Sequence, residues 1–166
     1  MLIAGIDPGK TGGIAILENG KVQNLTLLSS VSPRQLLLKH GVQLAYIEQA
    51  QSFPKQGIAS AFNYGRDYGY LLGSLAGSGI AIVLVRPGVW TKKVHAMAPK
   101  INDPKEKSLW CAKHIWPDIS FLATDRSSKP HDGLVDAALI AYYGMLNERA
   151  EVSTIHAINP DAPILD

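Results

Sequence analysis

Apolar positions come as short β-branched runs early in the chain and at helical spacing later. Residues 2–7 and 13–17 are nearly continuous apolar runs, joined by the tight turn Pro8-Gly9-Lys10-Thr11-Gly12, and are expected to be strands. Glu18-Asn19-Gly20 reads as a hairpin turn into a third strand over 21–28, because Asn-Gly tolerates the positive φ of a two-residue loop. Ser32-Pro33 opens a short helix over 34–39 that stops at Gly41, and 44–48 is a fourth strand. After a loop over 49–56, a long helix is expected to about Ser78, then a fifth strand over 80–85. Helices over 87–95 and 105–115, an irregular stretch over 118–130 and a last helix over 132–149 complete the pattern. Three hairpin-linked strands followed by alternating helices and strands predict an α/β domain with a five-stranded mixed sheet flanked by helices.

Two departures from simple patterning change the picture. The run 68–85 is uncharged and long enough to suggest a membrane span, but Gly77-Ser78-Gly79 divides it into a helical half and a β-branched half, so no membrane partner is expected. Within the long helix, Gly57, Ala61, Gly65, Gly69, Gly73 and Gly77 recur every four residues. Each interior glycine costs up to about 1 kcal/mol relative to alanine, which calls for compensation by close approach of another backbone. Packing against the helix's own sheet is the favoured expectation, and a helix contact between two copies of the chain is the alternative.

At 166 residues the chain is expected to form one domain over 1–150, with a peripheral tail over 151–166 that carries no basic residue. Cys111 is the only cysteine, so neither an intrachain disulfide nor a cysteine metal centre is available. With a strand starting directly after Met1 and no room for a signal or transit peptide, a cytoplasmic location is expected. Net charge is only +2, but half of the 16 basic residues lie between 92 and 129, as Lys92, Lys93, Lys100, Lys105, Lys107, Lys113, Arg126 and Lys129. Such a cluster is commonly a solvated face; beside an acidic site it reads as a phosphate-backbone footprint.

The acidic site is the main chemical signal. Asp7 closes the first strand, Glu48 closes the fourth, and Asp132 and Asp136 open the last helix. Acids at the carboxyl ends of neighbouring strands meet at one sheet edge, and helix positions i and i+4 share a face. An Asp after a strand is often only a turn former, and one at a helix start only a cap. Glu48 after four apolar residues and Asp136 near an apolar helix face are harder to leave without partners. Four converging carboxylates cannot all ionise without cations, and hard oxygen ligands suit Mg²⁺ or Mn²⁺. Paired ions of this kind are a recurring apparatus for cutting phosphodiesters.

The order of elements, with acids ending strands one and four, resembles the ribonuclease H-like fold. The motifs GIDPG from Gly5, YIEQ from Tyr46 with Phe53 following, GRDYG from Gly65, RPGVWTK from Arg86, Lys105 at a helix start and HDGLVDAALIAYYG from His131 resemble those of RuvC-type Holliday junction resolvases, in their compact phage- and chloroplast-like form. The resemblance spans about 2–144. It implies a homodimeric, Mg²⁺-dependent endonuclease acting on four-way DNA junctions, with no small-molecule substrate. By position, Asp7, Glu48, Asp132 and Asp136 match the acids that bind two Mg²⁺ ions, and Lys105 matches the basic residue near the scissile phosphate, with Lys107 as its alternative. Standard members space the last acidic pair by three, where this chain has Gly133, so His131 stands beside Asp132 as a candidate ligand. Phe53 matches an aromatic suited to stacking on an unpaired base. Lys55, Arg66, Lys92, Lys93 and Lys129 are the candidate phosphate contacts. Asp7-Pro8-Gly9-Lys10-Thr11 also resembles the phosphate loop of actin-like ATPases, but those need two such domains. An RNA–DNA hybrid or structured-RNA nuclease, or an inactive nucleic-acid-binding relative, are the competing readings.

Overall fold

The computed structural model describes residues 1–51 and 57–158, and side chains through Ala150. The elements run β1 (Leu2–Asp7), β2 (Gly13–Glu18), β3 (Lys21–Leu27), α1 (Pro33–Lys39), β4 (Leu44–Glu48), α2 (Ile58–Leu75), β5 (Ala81–Val85), α3 (Pro87–Val94), α4 (Pro104–Ile115) and α5 (Asp132–Ile158). The sheet order is β3-β2-β1-β4-β5. β1, β2 and β3 pair antiparallel, while β1 with β4 and β4 with β5 pair parallel. Asn19 and Gly20 both take positive φ (50° and 87°), the hairpin geometry expected of that dipeptide.

The near-continuous apolar runs of β1 and β2 follow from burial on both faces. Ile3, Ala15, Leu17 and Tyr46 join a core with α3, α4 and α5. Ala4, Ile6, Ile14, Ile16, Ala45 and Ile47 join a second core that includes Leu37 of α1 and Leu71 and Leu75 of α2. The period of two along each strand therefore feeds two hydrophobic layers. α5 lies directly on β1 and β2 because small residues face each other there. A Cβ on Gly5 would stand 2.8 Å from Cα of Ala141, closer than real Cβ contacts allow, and it would run into the Ala137 carbonyl oxygen as well. Gly133 meets the Thr11–Gly12 turn in the same way.

Three sequence expectations need correction. The glycine stripe does not pack on the sheet: a side chain at Gly57, Gly65, Gly69 or Gly73 would meet open space. The inward face of α2 is instead Ala61, Tyr64, Tyr68, Leu71 and Leu75. Gly57 is the residue before the helix and Gly77, with φ +70°, lies past its end. The long helix stops at Leu75, short of Ser78, since Gly77 and Gly79 both adopt the left-handed region. The last helix does not stop at Arg149 but runs to Ile158, with no proline or glycine between 145 and 158 to break it. Among the described residues no helix is long and apolar enough to cross a membrane.

Candidate metal and phosphodiester site

Strand parity aims two of the acids. Asp7 is in step with Ile3 and Gly5, and Glu48 with Tyr46, all on the α5 side of the sheet. Parallel pairing puts Ile6 opposite Ile47, so both acids sit one residue further on, at the carboxyl ends of adjacent strands. Gly5 and Gly133 let the first turn of α5 approach that edge, which brings Asp132 and Asp136 to it. Glu48, Asp132 and Asp136 line one cavity of about 390 Å³ with Trp90, His95, Lys105, Ser108 and Lys129 on its walls.

The electrostatics register the convergence. Burial, then the charges of Asp136, Glu48 and Asp132, push the Asp7 carboxyl up to about 8. Asp136 is pushed up to about 7 by burial and by Glu48 and Asp132, partly offset by a hydrogen bond from Ser108 and by Lys105. Glu48 is raised by burial, against a hydrogen bond from Trp90 that favours its ionised form. Lys105 Nζ forms an ion pair with Asp132 Oδ2, and that hydrogen bond holds its ammonium above the usual lysine range.

Among the described residues no three His, Cys, Asp or Glu side chains stand close enough to hold one ion as they are placed. The donor set nevertheless fits hard divalent cations: four carboxylates in electrostatic contact, two of them pushed up by burial and then by the charges of neighbouring acids.

The other sequence candidates scatter. Lys129 borders the cavity. Arg66 is exposed on α2 and pairs with its neighbour Asp67 at 2.9 Å. Lys92 and Lys93 are exposed in the last turn of α3. Lys107's charge acts on His95 and Cys111, whereas Lys105 is the lysine that pairs with Asp132. His131 precedes α5, and its buried Nδ1 has no hydrogen-bond partner. Phe53 and Lys55 lie outside the described residues.

Four further residues reach the site that sequence reasoning did not assign. Trp90 Nε1 donates to Glu48 Oε2 at 2.7 Å. His95 Nε2 lies 2.9 Å from Ser108 Oγ, and Ser108 in turn touches Asp136. Tyr64 stands beside Gly9, its hydroxyl pushed up to about 12 by burial and by the charges of Glu48 and Asp7. One signal was available: Ser108 is three residues after Lys105 on a helix, and therefore on the same face.

No known family model matches the sequence, and no curated protein matches it significantly. Among solved structures, the RuvC of T. thermophilus in complex with a Holliday junction substrate matches over 90% of this chain and 96% of its own, with TM-score 0.60 and 19% identity. A second Thermus thermophilus RuvC structure matches over 91% and 97%, with TM-score 0.58 and 20% identity. The chain has the ribonuclease H-like fold of the RuvC-type resolvases, a five-stranded mixed sheet flanked by five helices.

Proposed function

We propose that this chain is a metal-dependent endonuclease that resolves four-way DNA junctions, acting as a homodimer. The observation that carries the reading is the convergence of Asp7, Glu48, Asp132 and Asp136 on one edge of a ribonuclease H-like sheet, beside Lys105. Asp7, Glu48, Asp136 and Asp132 are the residues that would hold Mg²⁺, two ions per site, or Mn²⁺ in its place, with His131 as the alternative to Asp132. Such ions, when bound, neutralise the carboxylates and supply Lewis-acid activation at a phosphodiester.

The remaining roles belong to the chain itself. Lys105, exposed and charged, offers a point charge to the phosphate as negative charge builds on its oxygens. Lys129 at the cavity rim, with Lys92, Lys93, Lys107, Arg66 and Lys55, would meet the DNA backbone, each contributing little alone and all weakening with salt. Phe53 would stack on an unpaired base at the branch point.

The test is a comparison of cleavage on a four-way junction, a flap, a plain duplex and an RNA–DNA hybrid, with wild type and the Asp7→Asn and Glu48→Gln variants. Wild type should cut the junction preferentially in Mg²⁺. The variants should lose cleavage yet bind the junction as well or better, since each removes negative charge near phosphates. Preferential cutting of the hybrid would assign the chain to ribonuclease H chemistry, and a variant cutting at wild-type rate would end the carboxylate assignment.

A further inference from the structure

Glu48 and Trp90 meet because of how the sheet ends. Glu48 closes β4 opposite Val85 of β5, and the next amide, Gln49 N–H, donates to the Val85 carbonyl at 2.7 Å. Arg86 then caps α3, which starts at Pro87, so Trp90 stands one turn into that helix, beside the end of β4. Its side chain is 2% exposed and belongs to the core that α3 and α4 share with α5. The ring is held in place from its far side. His95 lies edge-on to it, with centroids 6.2 Å apart at 76°, and His95 Nε2 is in turn 2.9 Å from Ser108 Oγ of α4. An indole N–H donates and never accepts. Trp90 Nε1 donates to Glu48 Oε2 at 2.7 Å. Glutamate has one more side-chain torsion than aspartate, so among the acids of this site Glu48 is the one whose aim most needs an outside partner.

We propose that Trp90 is a positioning residue for Glu48, its buried indole N–H holding carboxylate oxygen Oε2 so that Oε1 is the oxygen left for a divalent cation. This rests on the metal-dependent reading of the carboxylate site given above. Trp90 touches neither the cation nor the reacting phosphate and acts through Glu48. Outer partners that orient a ligating carboxylate typically change metal affinity by about 10–100-fold when removed. Trp90→Phe removes the donor together with ring volume that packs on His95. The sharper replacement at this position is benzothienylalanine, which carries sulfur where the indole has N–H and keeps nearly the same shape, so it isolates the hydrogen bond from the packing.

Proton–nitrogen NMR of the full-length protein reads the indole N–H groups of Trp90, Trp110 and Trp116 separately. The benzothienylalanine variant identifies the Trp90 signal by its loss. Glu48→Gln replaces a charged acceptor by a neutral one, so in EDTA the Trp90 indole proton should move upfield. The Trp116 signal should stay in place, because that N–H donates to the Gly20 carbonyl at 2.8 Å. In wild type, Mg²⁺ should likewise shift the Trp90 signal and leave that of Trp116, a test that needs no variant. Electron paramagnetic resonance then measures Mn²⁺ binding without DNA. The benzothienylalanine variant should bind Mn²⁺ about 10–100-fold more weakly than wild type and need correspondingly more of it for half-maximal junction cleavage, with junction affinity in EDTA unchanged. Fluorotryptophan at the same position keeps the N–H and should bind Mn²⁺ as wild type does. Wild-type Mn²⁺ affinity in the benzothienylalanine variant would overturn the proposal. So would a Trp90 signal that neither Glu48→Gln nor Mg²⁺ moves, or a wild-type protein that binds no Mn²⁺. A wild type that binds Mn²⁺ but cuts no junction would refute the resolvase reading, and the NMR and binding data would still decide the role of Trp90.

Discussion

Asp7 shows what burying a carboxyl among other acids costs one residue. Burial and the neighbouring acids push its carboxyl up to about 8 and that of Asp136 up to about 7, both far above the value near 3.9 of an Asp in an unfolded chain. Between roughly pH 4 and 8 the folded, metal-free protein therefore holds more protons than the unfolded one. Stability from these groups is full below the unfolded pKa and is lost as pH rises through 7 and 8. Calorimetry in EDTA should show these groups lowering the melting temperature between about pH 4 and 8 and levelling off above that, at about 2–4 °C for each kcal/mol lost. Asp7→Asn should flatten that fall and be the more stable protein at pH 9; parallel curves for the two would place the effect elsewhere. At the mouth of the site, Asp132 and His131 separate by geometry. Asp132 lines the cavity and pairs with Lys105, while His131 Nδ1 is buried without a partner. Asp132→Asn should abolish cleavage at any Mg²⁺ concentration, and His131→Ala should retain it. The reverse pattern would make His131 the ligand.

At the scale of elements, the glycines divide into two kinds that the sequence alone does not separate. Gly5 sits where β1 touches α5, and a methyl group there would collide with backbone on both sides of Ala137–Ala141. Gly5→Ala should cost upwards of about 3 kcal/mol, beyond the usual range for overpacking, because backbone cannot step aside as a side chain can. Gly69→Ala in α2 meets open space and should gain up to about 1 kcal/mol from helix propensity. Urea denaturation of the two variants reads both effects, and a tolerated Gly5→Ala would contradict the tight seating of α5. The five strands in chain order, the hairpin at Asn19 and the place of Asp7 and Glu48 at strand ends were legible in sequence, because apolar runs and turn residues mark where strands stop. The sheet order and the parallel pairing of β1 with β4 came from the structure. The stripe was misread for a definite reason. Its four-residue spacing drifts around a helix of 3.6 residues per turn, and glycine carries no side chain whose polarity would mark the buried face. Trp90 and Ser108 were silent because an indole and a serine hydroxyl in helices look like core and filler until a carboxylate is placed against them.

At the scale of the molecule, the exposed apolar surface is unevenly distributed, and that bears on assembly. Among the described residues, Ile58, Phe62 and Tyr70 on α2 are 90%, 70% and 77% exposed, and Val83 and Leu84 are exposed on β5, the edge strand of the sheet. Isolated exposed hydrophobics are ordinary. Three large ones on the half of α2 that stands off the core, interleaved with glycines that allow close approach, are the pattern expected of a helix meeting another copy. The proposed junction substrate argues for the same assembly. A four-way junction has approximate two-fold symmetry, and its resolution into two duplexes needs paired nicks on opposing strands. A C₂ dimer presents two identical sites related by the axis of the substrate. Sedimentation at micromolar concentration should therefore show a species of about twice the 17.9 kDa chain mass. Phe62→Asp with Tyr70→Asp should reduce it to one chain mass without loss of fold, since both side chains face outward. The same double variant should still cleave single strands of a junction but lose simultaneous paired cuts, releasing nicked intermediates in place of ligatable duplexes. A wild-type protein that stays monomeric on junction DNA and yet makes symmetric paired cuts would refute the dimer.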